Sequence, residues 1–162
     1  MIDTALGSAP LLDFLPRATL PDETLLELTG DKSKLRALSR ESSGLEDRVA
    51  VAWEQPLKTL SCGQCRMLVG QRLGLRWLAA PIAEFVALYP SAECDLYPGD
   101  LAVNALIAGK DILEYAPNEA AAMFAADFSW LDNEIADAPS DDLLRRARDR
   151  LIEGRKSVRL SG

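Results

Sequence analysis

Two cysteines three positions apart are the residues of this sequence whose types and spacing most directly suggest chemistry. Cys62 and Cys65 follow Ser61, and a serine with Gln64 three positions later is the pattern of a helix capping box. Cys62 would then lie in the first turn of a helix, where the dipole and free N–H groups stabilise a thiolate. A thiol-disulfide oxidoreductase or redox sensor that uses Cys62 and Cys65 is therefore one hypothesis for the function.

Two features of the surrounding sequence oppose that hypothesis. A thioredoxin-like site needs a strand before the helix within a βαβ unit, and no convincing alternating strand pattern is present. Both cysteines also fall on an apolar helix face with Leu68 and Val69. A free cysteine on such a face behaves as a small hydrophobic residue. We therefore expect the two thiols to be structural.

Metal and acid–base chemistry are the other possibilities that the residue types suggest. Cys62, Cys65 and Cys94 could supply three sulfurs to zinc, with Glu93 or Asp95 as fourth ligand. Structural zinc prefers Cys or His in all four places, usually as two pairs, and only one pair exists here. Glu93, Asp95 and Asp100 could bind Mg²⁺ or transfer protons, yet acids are common at loops and helix starts. We predict no metal and no cofactor.

The composition narrows the class of protein further. The chain has 162 residues, 48% of them hydrophobic, and contains no histidine. The lack of histidine removes the commonest general acid–base and nucleophile pairs, so we expect no enzyme. A net charge of -7 disfavours direct binding to nucleic acid or to an anionic membrane and favours a basic protein partner. Three cysteines, no leader and no long apolar run predict a cytoplasmic protein.

The spacing of apolar residues predicts helices throughout. Residues 1–20 contain Pro10 and Pro16 and are expected to form an irregular arm, whereas 21–162 form a single helical domain. Pro98 suits the first position of one helix, with Asp100 in its first turn. A long helix is expected from Asn118 through Ile135. The predicted fold class is all-α, a compact bundle of about six helices with short connections.

Acidic residues are concentrated in the last third of the chain. Nine acids and no Lys or Arg lie between Asp111 and Asp142, and from Leu143 onward seven bases face two acids. Acids in the body or C-terminal half of a helix oppose the helix dipole, which makes them candidates for a binding face. The predicted partner-binding residues are Asp127, Asp132, Glu134, Asp137 and Asp141, with Glu93 and Asp95 as second choice.

Three short motifs carry a resemblance to a known family. They are Leu57-Lys58-x-Leu60-Ser61, Arg66-x-Leu68-Val69-Gly70-Gln71 and the uninterrupted string Asp95-Leu96-Tyr97-Pro98-Gly99-Asp100-Leu101. With these motifs the chain resembles the immunity proteins of bacterial contact-dependent growth inhibition (CDI) systems. The resemblance covers residues 25–107, and 108–162 form a divergent helical part. Ser61, Gln64, Gly70, Gln71, Tyr97, Pro98, Gly99 and Asp100 are then structural motif residues.

The resemblance implies a mostly helical protein without chemistry of its own. It would bind the C-terminal domain of a cognate CDI toxin as a 1:1 heterodimer and neutralise it. The toxin domain is expected to be basic, and in many cases a nuclease, so an acidic surface would steer the association. The family transfers no partner-binding residues to this chain, because immunity proteins diversify where they touch their toxins.

Overall fold

Nine α-helices form most of the chain in the computed structural model, which describes residues 8–38 and 44–161. They are α1 (Leu25–Thr29), α2 (Gly44–Trp53), α3 (Cys62–Gly70), α4 (Leu75–Leu88), α5 (Asp100–Ile107), α6 (Gly109–Tyr115), α7 (Pro117–Phe124), α8 (Ser129–Asp137) and α9 (Asp142–Ser161). The described residues contain isolated bridges but no β-strand. The all-α class is confirmed, and the predicted number of about six helices is an undercount.

One additional helix arises where a single long helix was expected from Asn118, and another is α6. The chain instead ends α7 at Phe124 and begins α8 at Ser129. Arg155 of α9 stabilises this break because its guanidinium donates hydrogen bonds to the carbonyls of Phe124 (2.7 Å) and Ala126 (3.0 Å). A side chain that caps free carbonyls from a distant helix is not visible in local periodicity.

Capping boxes fix the starts of two helices. Before α3, the Ser61 N–H donates to the Gln64 side chain (2.9 Å) and the Gln64 N–H donates to the Ser61 hydroxyl (3.1 Å). Thr24 and Glu27 make the same reciprocal pair at α1. The predicted capping box at Ser61 is therefore confirmed, and it places Cys62 as the first residue of α3.

One continuous hydrophobic core extends from Leu11 to Leu151. Helix α4 contributes Leu78, Ile82 and Phe85, each almost completely buried, and α4 packs against α5, α6 and α7. Residues 108–162 are thus packed on residues 25–107. Part of the predicted N-terminal arm also belongs to this core, since Leu11 is buried and its N–H donates to the Leu60 carbonyl.

The helices that the structure describes include none that is long and apolar enough to cross a membrane. The longest, α9, is the 20-residue Asp142–Ser161. It buries Leu144, Ala147 and Leu151 on one side and exposes a strongly charged opposite side.

Candidate partner-binding surface

The loop between α4 and α5 is organised by one buried carboxylate. Asp100 is fully buried, and its Oδ1 accepts hydrogen bonds from the N–H groups of Cys94 (2.9 Å) and Leu101 (2.8 Å). Its Oδ2 accepts from the N–H groups of Asp95 (2.9 Å) and Leu96 (2.7 Å). Four charge-assisted hydrogen bonds compensate the burial of this carboxylate and hold the loop in one conformation. These bonds give Asp100 a structural role in the loop.

The start of α5 differs from the prediction. Helix α5 begins at Asp100 rather than at Pro98, because Gly99 has a φ of +80° and is not helical. A side chain at Gly99 would be strained by that φ and would overlap the indole ring of Trp130 on α8. Glycine is therefore required here by both conformation and packing. This contact also places α8 directly beside the loop.

Tyr97, at the same loop, is half-buried and lies close to charged neighbours. Burial raises the pKa of its hydroxyl, and the negative charge of Asp100 raises it further. Three side-chain polar atoms are buried without a hydrogen-bond partner in the described chain: Arg66 Nε, Tyr97 Oη and Trp130 Nε1. Tyr97 belongs to this loop, and Arg66 and Trp130 contact it. Such atoms are uncommon in folded proteins, and here all three are concentrated at one loop.

The disulfide in the structure does not join the two cysteines that the redox hypothesis uses, Cys62 and Cys65. Cys62 forms a disulfide with Cys94 in the loop, with a Cα–Cα distance of 5.2 Å. Cys65 is a free buried thiol, and burial raises its pKa to about 12. The disulfide therefore joins the start of α3 to the α4–α5 loop, and Cys62 and Cys65 are not bonded to each other. Among the described residues no cluster of His, Cys, Asp or Glu is arranged to hold a metal ion.

Glu93 and Asp95, the second-choice partner-binding residues, both lie on this loop. Asp95 already accepts a hydrogen bond from Arg66 at 3.0 Å, and Arg48 of α2 lies 3.9 Å from the same carboxylate oxygen. Glu93 is partly exposed, and its side chain makes no ion pair with a described residue. The loop therefore carries Asp95, whose carboxylate contacts two arginines, and Glu93, which has no ionic partner among the described residues.

Two of the predicted partner-binding acids have structural roles at helix starts. Asp127 lies in the turn before α8, not within a helix as expected, and accepts a hydrogen bond from the Ser129 N–H (2.9 Å). That bond is the main reason why the pKa of Asp127 is lowered. Asp141 precedes α9 and accepts from the N–H groups of Leu143 and Leu144. Both acids are exposed, so these roles do not prevent contact with a partner.

The other three predicted acids, which we term the α8 acids, are Asp132, Glu134 and Asp137. All three are exposed. Asp132 lies in the first turn of α8, where an acid favours the helix, and not in the body or C-terminal half of a helix as expected. It is 4.0 Å from Arg148 of α9. Glu134 and Asp137 occupy the C-terminal half of α8 and make no side-chain hydrogen bond or ion pair with the described residues. Carboxylates near the negative end of a helix destabilise it slightly. The stability of α8 therefore does not explain the positions of Glu134 and Asp137.

The two predicted acidic regions adjoin in space. Trp130 of α8 packs on Gly99 of the loop, and the charge of Asp141 contributes to the raised pKa of Tyr97. Helix α8, which carries the α8 acids, therefore lies beside the loop that carries Glu93 and Asp95. The sequence predicted both sets but gave no indication that they are neighbours.

A groove beside the loop was not predicted at all. It lies between α2 and α3, has a volume of about 380 Å³, and includes Asp95 in its wall. The remaining lining residues are Asp47, Arg48, Val51, Ser61, Gly63, Gln64 and Met67. The structural motif residues Ser61 and Gln64 thus also face a surface groove. Gly70 and Gln71, by contrast, form the end and the C-cap of α3.

Comparisons with known proteins give no assignment, since no family model, no curated protein and no solved structure matches this chain.

Proposed function

We propose that this protein is an immunity protein of a bacterial contact-dependent growth inhibition system. It binds the C-terminal domain of its cognate toxin in a 1:1 complex and thereby neutralises it. The observation that carries the proposal is that Glu134 and Asp137 are exposed near the negative end of α8 and form no ion pair with a described residue. The motif resemblance supplies the class of partner, and the buried Asp100 gives its last motif a clear structural purpose.

The mechanism is stoichiometric inhibition without a chemical step. The toxin domain is basic, as a nuclease with a cationic cleft for RNA or DNA would be, and this chain carries a net charge of -7. The α8 acids and Asp141 attract that cleft, which raises the rate of association. Once bound, the immunity protein covers the cleft or an adjacent face. It makes no direct contact with nucleic acid or membrane and acts in the cytoplasm.

The experiment is a calorimetric titration against the toxin domain encoded by the gene immediately upstream. Wild-type protein should bind it 1:1 and abolish its toxicity. The variant Asp132→Asn/Glu134→Gln/Asp137→Asn should bind at least tenfold more weakly at low salt, because it removes three charges from the steering surface.

A matched variant controls for net charge alone. Asp13→Asn/Glu23→Gln/Glu54→Gln removes three equally exposed acids elsewhere, and its affinity should stay within about twofold of wild type. Equal weakening by both variants would show that only total charge matters. Unchanged affinity of the α8 variant across salt concentrations would reject the α8 acids as the contact surface.

A redox role is the second candidate, because the structure contains a bond between Cys62 and Cys94. The original form of this hypothesis uses Cys62 and Cys65, and the raised pKa of Cys65 disfavours its thiolate near neutral pH. Replacement of Cys62, Cys65 and Cys94 by Ala separates the two functions. Toxin neutralisation should survive the replacement, whereas thiol–disulfide exchange with glutathione should not.

A further inference from the structure

Helix α9 carries two arginines near its start that no acid of the described chain neutralises. Arg145 and Arg146, which we term the α9 pair, are exposed, and neither side chain forms a hydrogen bond or an ion pair with a described residue. Asp142 and Asp149 lie four positions from Arg146 and Arg145 on the same helix, yet neither forms an ion pair with them. Both guanidinium groups are therefore available to an acidic partner.

Helix α8 lies beside α9 at the surface. The two helices are joined by residues 138–141 alone and therefore run antiparallel. Asp132 in the first turn of α8 lies 4.0 Å from Arg148 of α9, and their side chains are 68% and 42% exposed. Solvent thus reaches the line along which the two helices meet.

The charges of α8 and α9 that form no ion pair lie at a similar height along this helix pair. Glu134 and Asp137, which we term the α8 pair, follow Asp132 by two and five positions. The α9 pair precedes Arg148 by three and two positions. At a rise of 1.5 Å per residue, both pairs lie within about 8 Å of the Asp132–Arg148 contact along the helix axes. An acidic and a basic pair are therefore side by side without forming ion pairs with each other.

An acidic pair beside a basic pair is complementary to a second copy of itself. A two-fold axis along the line between α8 and α9 places α8 of each copy opposite α9 of the other, so that two identical sets of ion pairs form. A nucleic acid fits less well, because its phosphates would meet the α8 pair next to the arginines. This surface is matched by a partner with both signs of charge in the reverse order, and symmetry gives the second copy that order.

Exposed apolar side chains on α9 support a protein as the occupant. Leu143 is 37% exposed and Ile152 is 45% exposed, although both are large apolar residues. They lie before and after the α9 pair in the helix. Arginine with apolar neighbours is characteristic of protein interfaces, which bury apolar groups at their centre.

We propose that this protein forms a weak, two-fold symmetric homodimer in which the α9 pair of each copy binds the α8 pair of the other. The contact consists mainly of exposed ion pairs, so we expect a dissociation constant on the order of 100 µM. The net charge of -7 on each copy opposes association at low salt. At about 150 mM salt, charges separated by more than about 8 Å are largely screened, and the adjacent ion pairs determine the affinity.

The dimer also limits access to the surface that we propose for the toxin. Each α8 pair is covered by the second copy, so the toxin domain must displace that copy before it binds. A toxin domain that binds much more tightly than 100 µM, which is about the affinity expected of the dimer, displaces it readily. This consequence, unlike the dimer itself, rests on the proposed function.

The first test is the mass of the purified protein in solution. Sedimentation equilibrium at about 150 mM salt should show the average mass rise from 17.7 kDa towards twice that value between about 10 µM and about 1 mM protein. A mass of 17.7 kDa at every concentration overturns the dimer. A mass beyond twice that value overturns the two-fold arrangement, because a two-fold dimer is closed.

The second test removes the contact and then restores it. Glu134→Arg/Asp137→Arg and Arg145→Glu/Arg146→Glu should each raise the dissociation constant at least about tenfold, because like charges then face each other. An equimolar mixture of these two reversed variants should form dimers within about threefold of wild-type affinity, since each α8 again faces an α9 of opposite charge. Both variants keep a net negative charge, so overall attraction cannot cause this recovery. Circular dichroism verifies that both are folded.

A matched variant controls for the change of net charge. Asp13→Arg/Glu23→Arg reverses two exposed acids outside α8 and α9. It should dimerise within about twofold of wild-type affinity and should not restore dimers when mixed with the reversed α9 variant. A mixture of the two reversed variants that stays monomeric, or equal recovery with the control, overturns the proposal.

These measurements need no toxin, so the two proposals can fail separately. Dimers that form as expected beside a toxin domain that does not bind reject only the proposed function. Tight binding of the toxin domain by a protein that is monomeric at every concentration rejects only the dimer.

Discussion

At the scale of single residues, Asp100 explains why the motif Asp-x-Tyr-Pro-Gly-Asp has a defined structure. Its carboxylate accepts four backbone hydrogen bonds in a fully buried position. Gly99 precedes it in a conformation that other residues rarely adopt. The motif therefore builds a loop that presents Asp95 and Leu96, and its residues need not contact a partner themselves.

Replacement of Asp100 by Asn should be strongly destabilising. The amide has one acceptor oxygen, so its NH₂ group would face two of the four N–H donors. We expect the free energy of unfolding to fall by about 2–4 kcal/mol, measured by urea denaturation. Asp95→Asn makes the same change of charge at an exposed site and should lower it by at most about 1 kcal/mol. Equal effects would contradict the role assigned to Asp100.

The buried thiol of Cys65 should make stability depend on alkaline pH. Burial raises its pKa from 9.0 to about 12, so the folded state favours the neutral thiol. The resulting contribution to stability is complete below pH 9 and declines as the pH rises from there towards 12. Denaturation between pH 8 and 11 should show a steeper loss for wild type than for Cys65→Ala. Parallel curves would show that Cys65 is not buried.

At the scale of the elements, the disulfide connects α3 to the α4–α5 loop across a sequence separation of 32 residues. Closing a loop of that length restricts the unfolded chain and should contribute about 3–4 kcal/mol. Urea denaturation with and without a reductant should show that difference. Cys65→Ala should respond to reductant as wild type does, whereas Cys94→Ala should show no response. A count of one free thiol in the denatured, unreduced protein verifies that one disulfide is present.

A glycine permits the close approach of α9 to α7. A Cβ atom at Gly154 would overlap the ring of Phe124, which is itself buried. Gly154→Ala should therefore destabilise the protein by about 1–3 kcal/mol, despite the better helix propensity of alanine. Phe124→Leu combined with Gly154→Ala should be less destabilising than the sum of the single variants. Chemical denaturation of all three variants tests this, and simple additivity would contradict the contact.

Helix boundaries were predictable from the sequence only where local hydrogen bonds determine them. The capping box at Ser61 and Gln64 was predictable because its hydrogen bonds are made within four residues. The break between α7 and α8 was not, because Arg155 supplies its hydrogen bonds from α9. The start of α5 was also mispredicted. Proline favours the first position of a helix, but Gly99 after Pro98 has a φ of +80° that is not helical, so α5 begins only at Asp100.

At the scale of the whole molecule, charge is separated between neighbouring helices. Between Asp111 and Asp142 there are nine acids without a base, and α9 follows with an excess of arginines. Only the contact of Asp132 with Arg148, at 4.0 Å, joins α8 to α9 among the ion pairs of the described residues. Most of the α8 charge is therefore available for an external partner.

This separation predicts how salt should affect the complex. The association rate with the toxin domain should fall by about tenfold or more between 50 mM and 500 mM salt, because exposed charges are screened. The α8 variant should show a much weaker salt dependence, with its dissociation rate little changed. Stopped-flow measurements at several salt concentrations provide both rates. A wild-type rate that is independent of salt would rule out electrostatic steering.

The sequence by itself determined the all-α class, the capping box at Ser61 and the concentration of acidic residues in the last third of the chain, because these depend on local periodicity and composition. Only the tertiary structure decided that Cys62 pairs with Cys94, that Asp100 is buried, and that α8 lies against the α4–α5 loop. The groove between α2 and α3 likewise needs residues from three separate segments. These features depend on contacts between distant residues, and such contacts leave no local pattern in the chain.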